Sequence, residues 1–148
     1  MNMKDYSVTL RIALISLALC GLIFPFAVTG IAQLLFPNQA NGSIAKLNGH
    51  DVGSNLIPQN FTSPMFFQPR NDPILPNVDP DITVQDAYSQ IPRISSATGG
   101  NITADTLKSI VDQNTLRTMW IAGDEYVNVL NLNLLLIETY PKIYKEFG

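Results

Sequence analysis

Between Arg11 and Lys46 the chain runs 34 positions without an Asp, Glu, Lys or Arg. Within that gap, Ile12 to Phe36 reads IALISLALCGLIFPFAVTGIAQLLF, with Ser16, Thr29 and Gln33 as its only polar side chains. As an α-helix these residues extend to about 37 Å, more than the roughly 30 Å hydrocarbon core of a bilayer. The run is longer than the apolar region of a cleaved leader and lacks a small-x-small site, so the pattern predicts an uncleaved transmembrane anchor. Pro25 has no N–H for the carbonyl of Gly21, so a kink or an unpaired carbonyl is expected there. Ala13, Ser16, Cys20 and Ala27 fall within about 60° of one another at 100° per residue. Such a face of small side chains suits close approach of a partner helix. Lys4 and Arg11 precede the span, and the positive-inside rule then divides the chain. Residues 1–11 are expected in the cytoplasm, 12–36 in the membrane and 37–148 outside it.

Beyond the span the pattern changes to that of a small water-soluble domain. Asn48-Gly49 sits between Ile44–Leu47 and His50–Val52 and predicts a hairpin. From Gly53 to Asp81 the recurrence of proline (58, 64, 69, 73, 76 and 80) forbids a helix. Phe61, Met65, Phe66 and Phe67 lie in that stretch and must pack on a core or on a partner. Thr83 and Asp86 form a capping pattern ahead of Val84, Ala87, Tyr88, Ile91 and Ile94, a helix that Pro92 should kink or end. Gly99-Gly100 breaks the chain, and Thr103 caps a second helix whose inner face is Leu107, Ile110 and Val111. Ile102 and Leu107 are placed as a hydrophobic staple across that cap. Met119–Ala122, a Gly123-Asp124 turn and Tyr126–Leu130 read as a hairpin. The alternation then changes phase, through a bulge or because Asn131 or Asn133 caps a last helix ending at Tyr140; the helix is preferred. The expected fold class is α+β, a single N-terminal transmembrane helix followed by a small mixed extracytoplasmic domain.

Composition narrows the chemistry. Of 148 residues, 46% are hydrophobic and 14% charged. The part from Pro37 onward holds seven basic and eleven acidic residues, so a nucleic acid bound by phosphate electrostatics is not expected. One cysteine and one histidine exclude an intrachain disulfide and Cys- or His-rich zinc sites. Cys20 reads as packing within the span, and His50, beside Asp51, as a solvated turn residue. Asp72, Asp79 and Asp81 lack the spacing of a calcium loop, and loop capping is the expected role. No catalytic constellation and no metal site is predicted. Asn41, Asn60 and Asn101 open N-x-[ST] tripeptides.

An ordered series of segments carries a family resemblance. At the membrane exit stand Phe24-Pro25, Val28-Thr29-Gly30, Leu35-Phe36-Pro37 and Gln39–Ser43. Gly53–Ile57, Gln59, Phe61, Pro64 and Phe66-Phe67 follow, and then Asp79-Pro80, Ile82, Gln90–Arg93, Thr115 and Arg117. Val127–Leu130 with Leu132-Asn133-Leu134 closes the series. In these segments the chain resembles the C subunit of the Kdp-type potassium-transporting P-type ATPase. It departs from the family at Pro58, where glycine is usual, and at Asp81 and Asn114, where histidine is usual. A long Gly/Ser/Asn-rich stretch after Arg70 is replaced by residues 71–78.

The resemblance implies a non-catalytic accessory subunit in the cell (inner) membrane, described in the family as a catalytic chaperone that raises the pump's apparent ATP affinity. Its implied partners are the potassium channel-like subunit, the ATP-hydrolysing subunit, a small accessory peptide and the lipid bilayer. ATP enters as a cofactor through the resemblance alone. The predicted topology leaves about eleven residues on the ATP side, so the expectation is mechanical: the helix packs on the pump, the outer domain caps the potassium entrance, and any effect on ATP is allosteric. Ala13, Ser16, Cys20, Ala27, Phe61, Phe66 and Phe67 are the candidate partner-packing residues. Two other readings stand beside this one. The first is a self-standing anchored ligand-binding or adhesion protein using Phe61, Phe66, Phe67 and Trp120; the second is an anchored hydrolase using His50.

Overall fold

The computed structural model describes residues 3–69, 79–117 and 123–147. The chain divides into two compact units, Met1–Gly42 and Ser43–Gly148. The first is helical: α1 (Met3–Ala18), a π-turn (Leu19–Ile23), α2 (Phe24–Leu35) and the single turn α3 (Pro37–Ala40). Tyr6–Leu35 has a mean hydropathy of 2.4 in its most apolar window, and none of that window is buried by the chain itself. A core helix of a soluble domain would be covered; this one offers its leucines and phenylalanines outward, Leu34 being 84% exposed.

The π-turn answers the expectation at Pro25. Phe24 N–H donates to Leu19 O, five residues back instead of four. Pro25 thereby falls in the opening turn of α2, where a missing N–H is tolerated. A turn closed on the fifth residue takes up one extra residue, so every side chain beyond it lags by about 100°. That corrects the predicted stripe. Ala13, Ser16 and Cys20 keep their common side, Ala27 is carried off it, and Ala32 comes onto it. After α2, the Asn41 and Gln33 side-chain amides bond each other reciprocally, both at 3.2 Å, and Asn41 Nδ2 also donates to Pro37 O.

The second unit opens with the predicted hairpin, β1 (Ile44–Leu47) antiparallel to β2 (His50–Ser54). Asn48 and Gly49 both have positive φ, 51° and 84°, the two-residue turn that matches strand twist. The register shifts after Ala45, leaving Val52 as the extra residue of a bulge. A strand that the pattern did not predict, β3 (Asp81–Thr83), follows the proline-rich stretch. Thr83 also caps α4 (Val84–Ala97), accepting from the Asp86 N–H at 3.1 Å.

Pro92 does not end α4, which runs on to Ala97. The helix loses one backbone bond there, and burial of Ala87, Ile91 and Ile94 holds it together. Gly99 and Gly100, both at positive φ, turn the chain into α5 (Ala104–Gln113). Thr103 is its cap, with Ile102 and Leu107 buried as the staple predicts.

The tail corrects two expectations. The strand β4 (Leu116–Arg117) pairs antiparallel with β5 (Glu125–Asn128), Arg117 facing Glu125. That register excludes a two-residue turn at Gly123-Asp124; Met119–Ala122 lies outside the described residues. The last helix exists but starts early. Asn128 caps α6 (Val129–Thr139) by accepting from Asn131 N–H, while Asn133 lies inside it. The phase change at Leu130 is therefore the passage from strand to helix. The sheet order is β3-β5-β4, and the core gathers Phe67, Ile82, Ile94, Leu107, Val127 and Leu136 between sheet and helices. Thr103→Ala, which removes the α5 cap, is expected to lower unfolding free energy by about 1 kcal/mol, read as a shift in denaturant midpoint, with Thr103→Asn close to wild type.

Candidate functional site

The stretch from Asn55 to Pro69 contains Pro58, Pro64 and Pro69 and forms neither helix nor strand. Its backbone polar groups still require partners, and side chains supply them. From α4, Arg93 donates to Pro64 O at 2.7 Å and to Phe66 O at 3.1 Å. Gln90, one turn earlier on the same face, accepts from Gln68 N–H at 2.8 Å and donates to Gln68 O at 3.0 Å. It also accepts from Arg93 at 2.7 Å. From α6, Asn133 does for Phe67 what Gln90 does for Gln68, accepting from its N–H and donating to its carbonyl, both at 2.8 Å. Tyr144, in the turn after α6, donates its hydroxyl to Met65 O at 2.9 Å.

Two side-chain amides thus mimic the paired bonds of a neighbouring strand, and an arginine and a phenol complete the set. Burial lowers the Arg93 pKa from the usual arginine value, yet an arginine stays cationic at neutral pH. Burial, and secondarily the nearby Tyr140, pushes the Tyr144 phenol up to about 12.

The clamped segment presents a wall of rings. Phe66 lies 4.9 Å from Tyr144 in a stacked arrangement, 4.9 Å from Phe147 edge-on and 5.4 Å from Phe61. Phe61, Phe66 and Phe147 flank a cleft of about 320 Å³ whose other sides are Leu47 and Val52 of the hairpin and Leu130, Leu134 and Ile137 of α6. Gln59, Asn60, Thr62 and Ser63 form its polar lining. None of the lining residues carries a charge. Gly53 lets the hairpin come in: a Cβ there would lie 3.2 Å from Leu130 Cδ2.

The predicted site residues separate. Phe66 and Phe67 are buried, at 2% and 0% exposure, so Phe67 serves this chain's own core and Phe66 meets the cleft from below. Phe61 is half-buried at the cleft wall. Ala13, Ser16, Cys20 and Ala27 are exposed along the apolar helix. His50 is an exposed residue at the start of β2. Asp79 caps its loop, as expected, by accepting from Asp81 N–H at 3.0 Å. Asp72 and Trp120 lie outside the described residues.

Sequence reasoning missed the clamp itself, although its signal was present. Gln90 and Arg93 are a polar pair at i, i+3 within an amphipathic helix, and Asn133 interrupts an apolar run. It also missed Asn128, which caps α6 and donates to Asn55 O at 3.0 Å and to the Asp81 carboxylate at 2.8 Å.

Asn133→Leu strands the N–H and carbonyl of Phe67 without partners. It is expected to destabilise the chain by about 2–4 kcal/mol in denaturant titration, with Asn133→Asp, which keeps the acceptor, intermediate. Tyr144→Phe tests the phenol. The folded pKa lies above the unfolded value near 10, so its stabilisation is whole below about pH 10 and is lost as pH climbs towards 12. Measured against pH, the stability gap between wild type and Tyr144→Phe should be constant below 10 and close between 10 and 12.

The family model described as "KdpC: K+-transporting ATPase, c chain" matches residues 6–74 and 76–138. Similar proteins include the potassium-transporting ATPase KdpC subunit of Caldanaerobacter subterraneus subsp. tengcongensis, 32% identical over 90% of this chain and 95% of that protein. A KdpC subunit of Staphylococcus aureus is 31% identical over 90% and 98%. One of Bacillus cereus is 33% identical over 86% and 92%. The first of these alignments runs over 185 positions, more than this chain's 148 residues, so the relative carries segments that this chain lacks. Of the segments quoted for the resemblance, those at Gly53, Gln59, Phe61, Pro64, Phe66-Phe67, Gln90, Arg93, Leu130, Asn133 and Leu134 meet at the clamp and the cleft, and the chain belongs to the KdpC family, the membrane-associated accessory subunits of potassium-transporting ATPases.

Proposed function

We propose that the chain is a single-pass subunit whose helix is held among the membrane helices of the pump, with its N-terminus in the cytoplasm and its folded unit outside. Lys4 and Arg11 before the span support that orientation. The observation that carries the reading is the apolar stretch Tyr6–Leu35, whose most apolar window is nowhere buried by its own chain. Lipid and the helices of the channel-like and ATP-hydrolysing subunits, with the small accessory peptide, supply its cover.

The folded unit, from Ser43, caps the potassium entrance. Its stimulation of ATP use is allosteric: by favouring one conformation of the assembly it shifts the pump's apparent ATP affinity without touching nucleotide. The uncharged lining of the cleft supports this, since a triphosphate buried there would have no counter-ion. The subunit contributes position and coupling and performs no chemistry of its own.

In mild detergent the full chain is expected to copurify with the other Kdp subunits. Omitting it should raise the apparent KM for ATP of the potassium-stimulated ATPase. The full chain alone should show no saturable ATP binding up to millimolar concentration; specific binding in the micromolar range would overturn the allosteric reading.

A further inference from the structure

We propose that the cleft between the Phe61–Phe66–Phe147 wall and α6 is a preformed socket for one bulky apolar side chain on an uncharged segment of another subunit of the ATPase. The inference rests on the subunit reading and names the surface through which the folded unit would make contact. Three observations carry it.

The first is chemical. The cleft lining is mostly aromatic and aliphatic, it includes the amides of Gln59 and Asn60 and the hydroxyls of Thr62 and Ser63, and no lining residue is charged. A mostly apolar lining with a few hydroxyls and amides and no charge suits a protein contact. A bilayer surface with anionic headgroups would call for Lys or Arg at the edge, and a nucleotide for cations within.

The second is rigidity. The wall is not a loop free to collapse inward: Arg93, Gln90, Asn133 and Tyr144 fix the backbone of residues 64–68 from three different elements. Phe66 is further held between Tyr144 and Phe147. A pocket already in its bound shape loses little entropy on filling, which lets a single anchor side chain count heavily towards affinity.

The third is exposure around the mouth. Val52 is 40% exposed and Phe147 45%, both lining the cleft, and Leu56 and Ile57 in the adjoining turn are 63% and 58% exposed. Val52 owes its position to the hairpin bulge.

The test uses the full chain expressed with the other Kdp subunits. Val52→Trp fills the socket from its edge, Thr62→Glu brings a charge to the lining, and Val52→Ala leaves the space open. The first two are expected to lower recovery of the other subunits on the tagged chain by about tenfold or more, while Val52→Ala retains it. Thermal unfolding of each variant alone, matching wild type, separates lost contact from lost fold. A photo-crosslinking residue in place of exposed Asn60 gives an independent readout and should join the chain to another ATPase subunit. Wild-type recovery with Val52→Trp and Thr62→Glu, or a crosslink only to lipid or to a second copy of this chain, would overturn the socket and leave the subunit reading standing. Failure of the unaltered chain to copurify would remove both.

Discussion

A segment of chain that can form neither helix nor strand is tolerated inside a fold only when something else satisfies its peptide groups. In this protein that constraint falls on residues 64–68, between Pro64 and Pro69. Gln90, Arg93, Asn133 and Tyr144 take over the work of a neighbouring strand, each aimed by an element that forms for its own local reasons. Thr83 starts α4 and so fixes the face on which Gln90 and Arg93 appear together. Asn128 starts α6, placing Asn133 on its buried side and Leu130, Leu134 and Ile137 towards the cleft. The aromatic wall follows from the clamp, because a backbone held at five successive residues leaves Phe66 and Phe67 little choice of direction: one meets the cleft and the other fills the core. Apolar burial then stabilises what the hydrogen bonds specify.

The helical unit is suited to a different solvent. In water its exposed leucines would be a liability, whereas in a bilayer they are the favourable surface and the backbone must satisfy itself. Pro25 violates that requirement by withholding an N–H, and the π-turn from Leu19 to Ile23 accommodates it just ahead of the proline. The consequence is rotational. A contact face drawn on an ideal 3.6-residue helix does not survive the extra residue. A neighbour packed against Ala13 and Cys20 would meet Ala32 further along in place of Ala27. Small side chains on both sides of the turn still permit close approach of another helix.

Where the determinants are local, the sequence was a good guide. The Asn48-Gly49 turn, the Thr83 and Thr103 caps, the glycine break and the apolar span each depend on a few adjacent residues, and each is found where it was expected. The misreadings have tertiary causes. Asp81–Thr83 is a strand because β5 lies beside it, with Ile82 opposite Val127; three residues carry no periodicity of their own. Pro92 stays within α4 because buried Ile91 and Ile94 outweigh one missing bond. Asn131 and Asn133 were weighed as caps because asparagine caps helices, yet Asn128 fills that role and frees Asn133 to be buried. The clamp was hardest to foresee, since its partners lie 22 to 79 residues apart in the chain.

That separation bears on what the family's shared segments are for. Residues that carry the resemblance at Gly53, Gln59, Phe61, Pro64, Phe66-Phe67, Gln90, Arg93, Leu130, Asn133 and Leu134 all clamp the segment, are clamped by it, or line and admit the cleft. None of them assembles with others into a nucleophile, a base or a metal ligand set among the described residues. A set of side chains so distributed specifies a shape, and an uncharged concave shape on a subunit is suited to gripping another surface. The interruption of the family match at residue 75 falls outside this set. The clamp draws its partners from α4, α6 and the turn after it, so the shape of the cleft depends on contacts made far along the chain from the segment they hold.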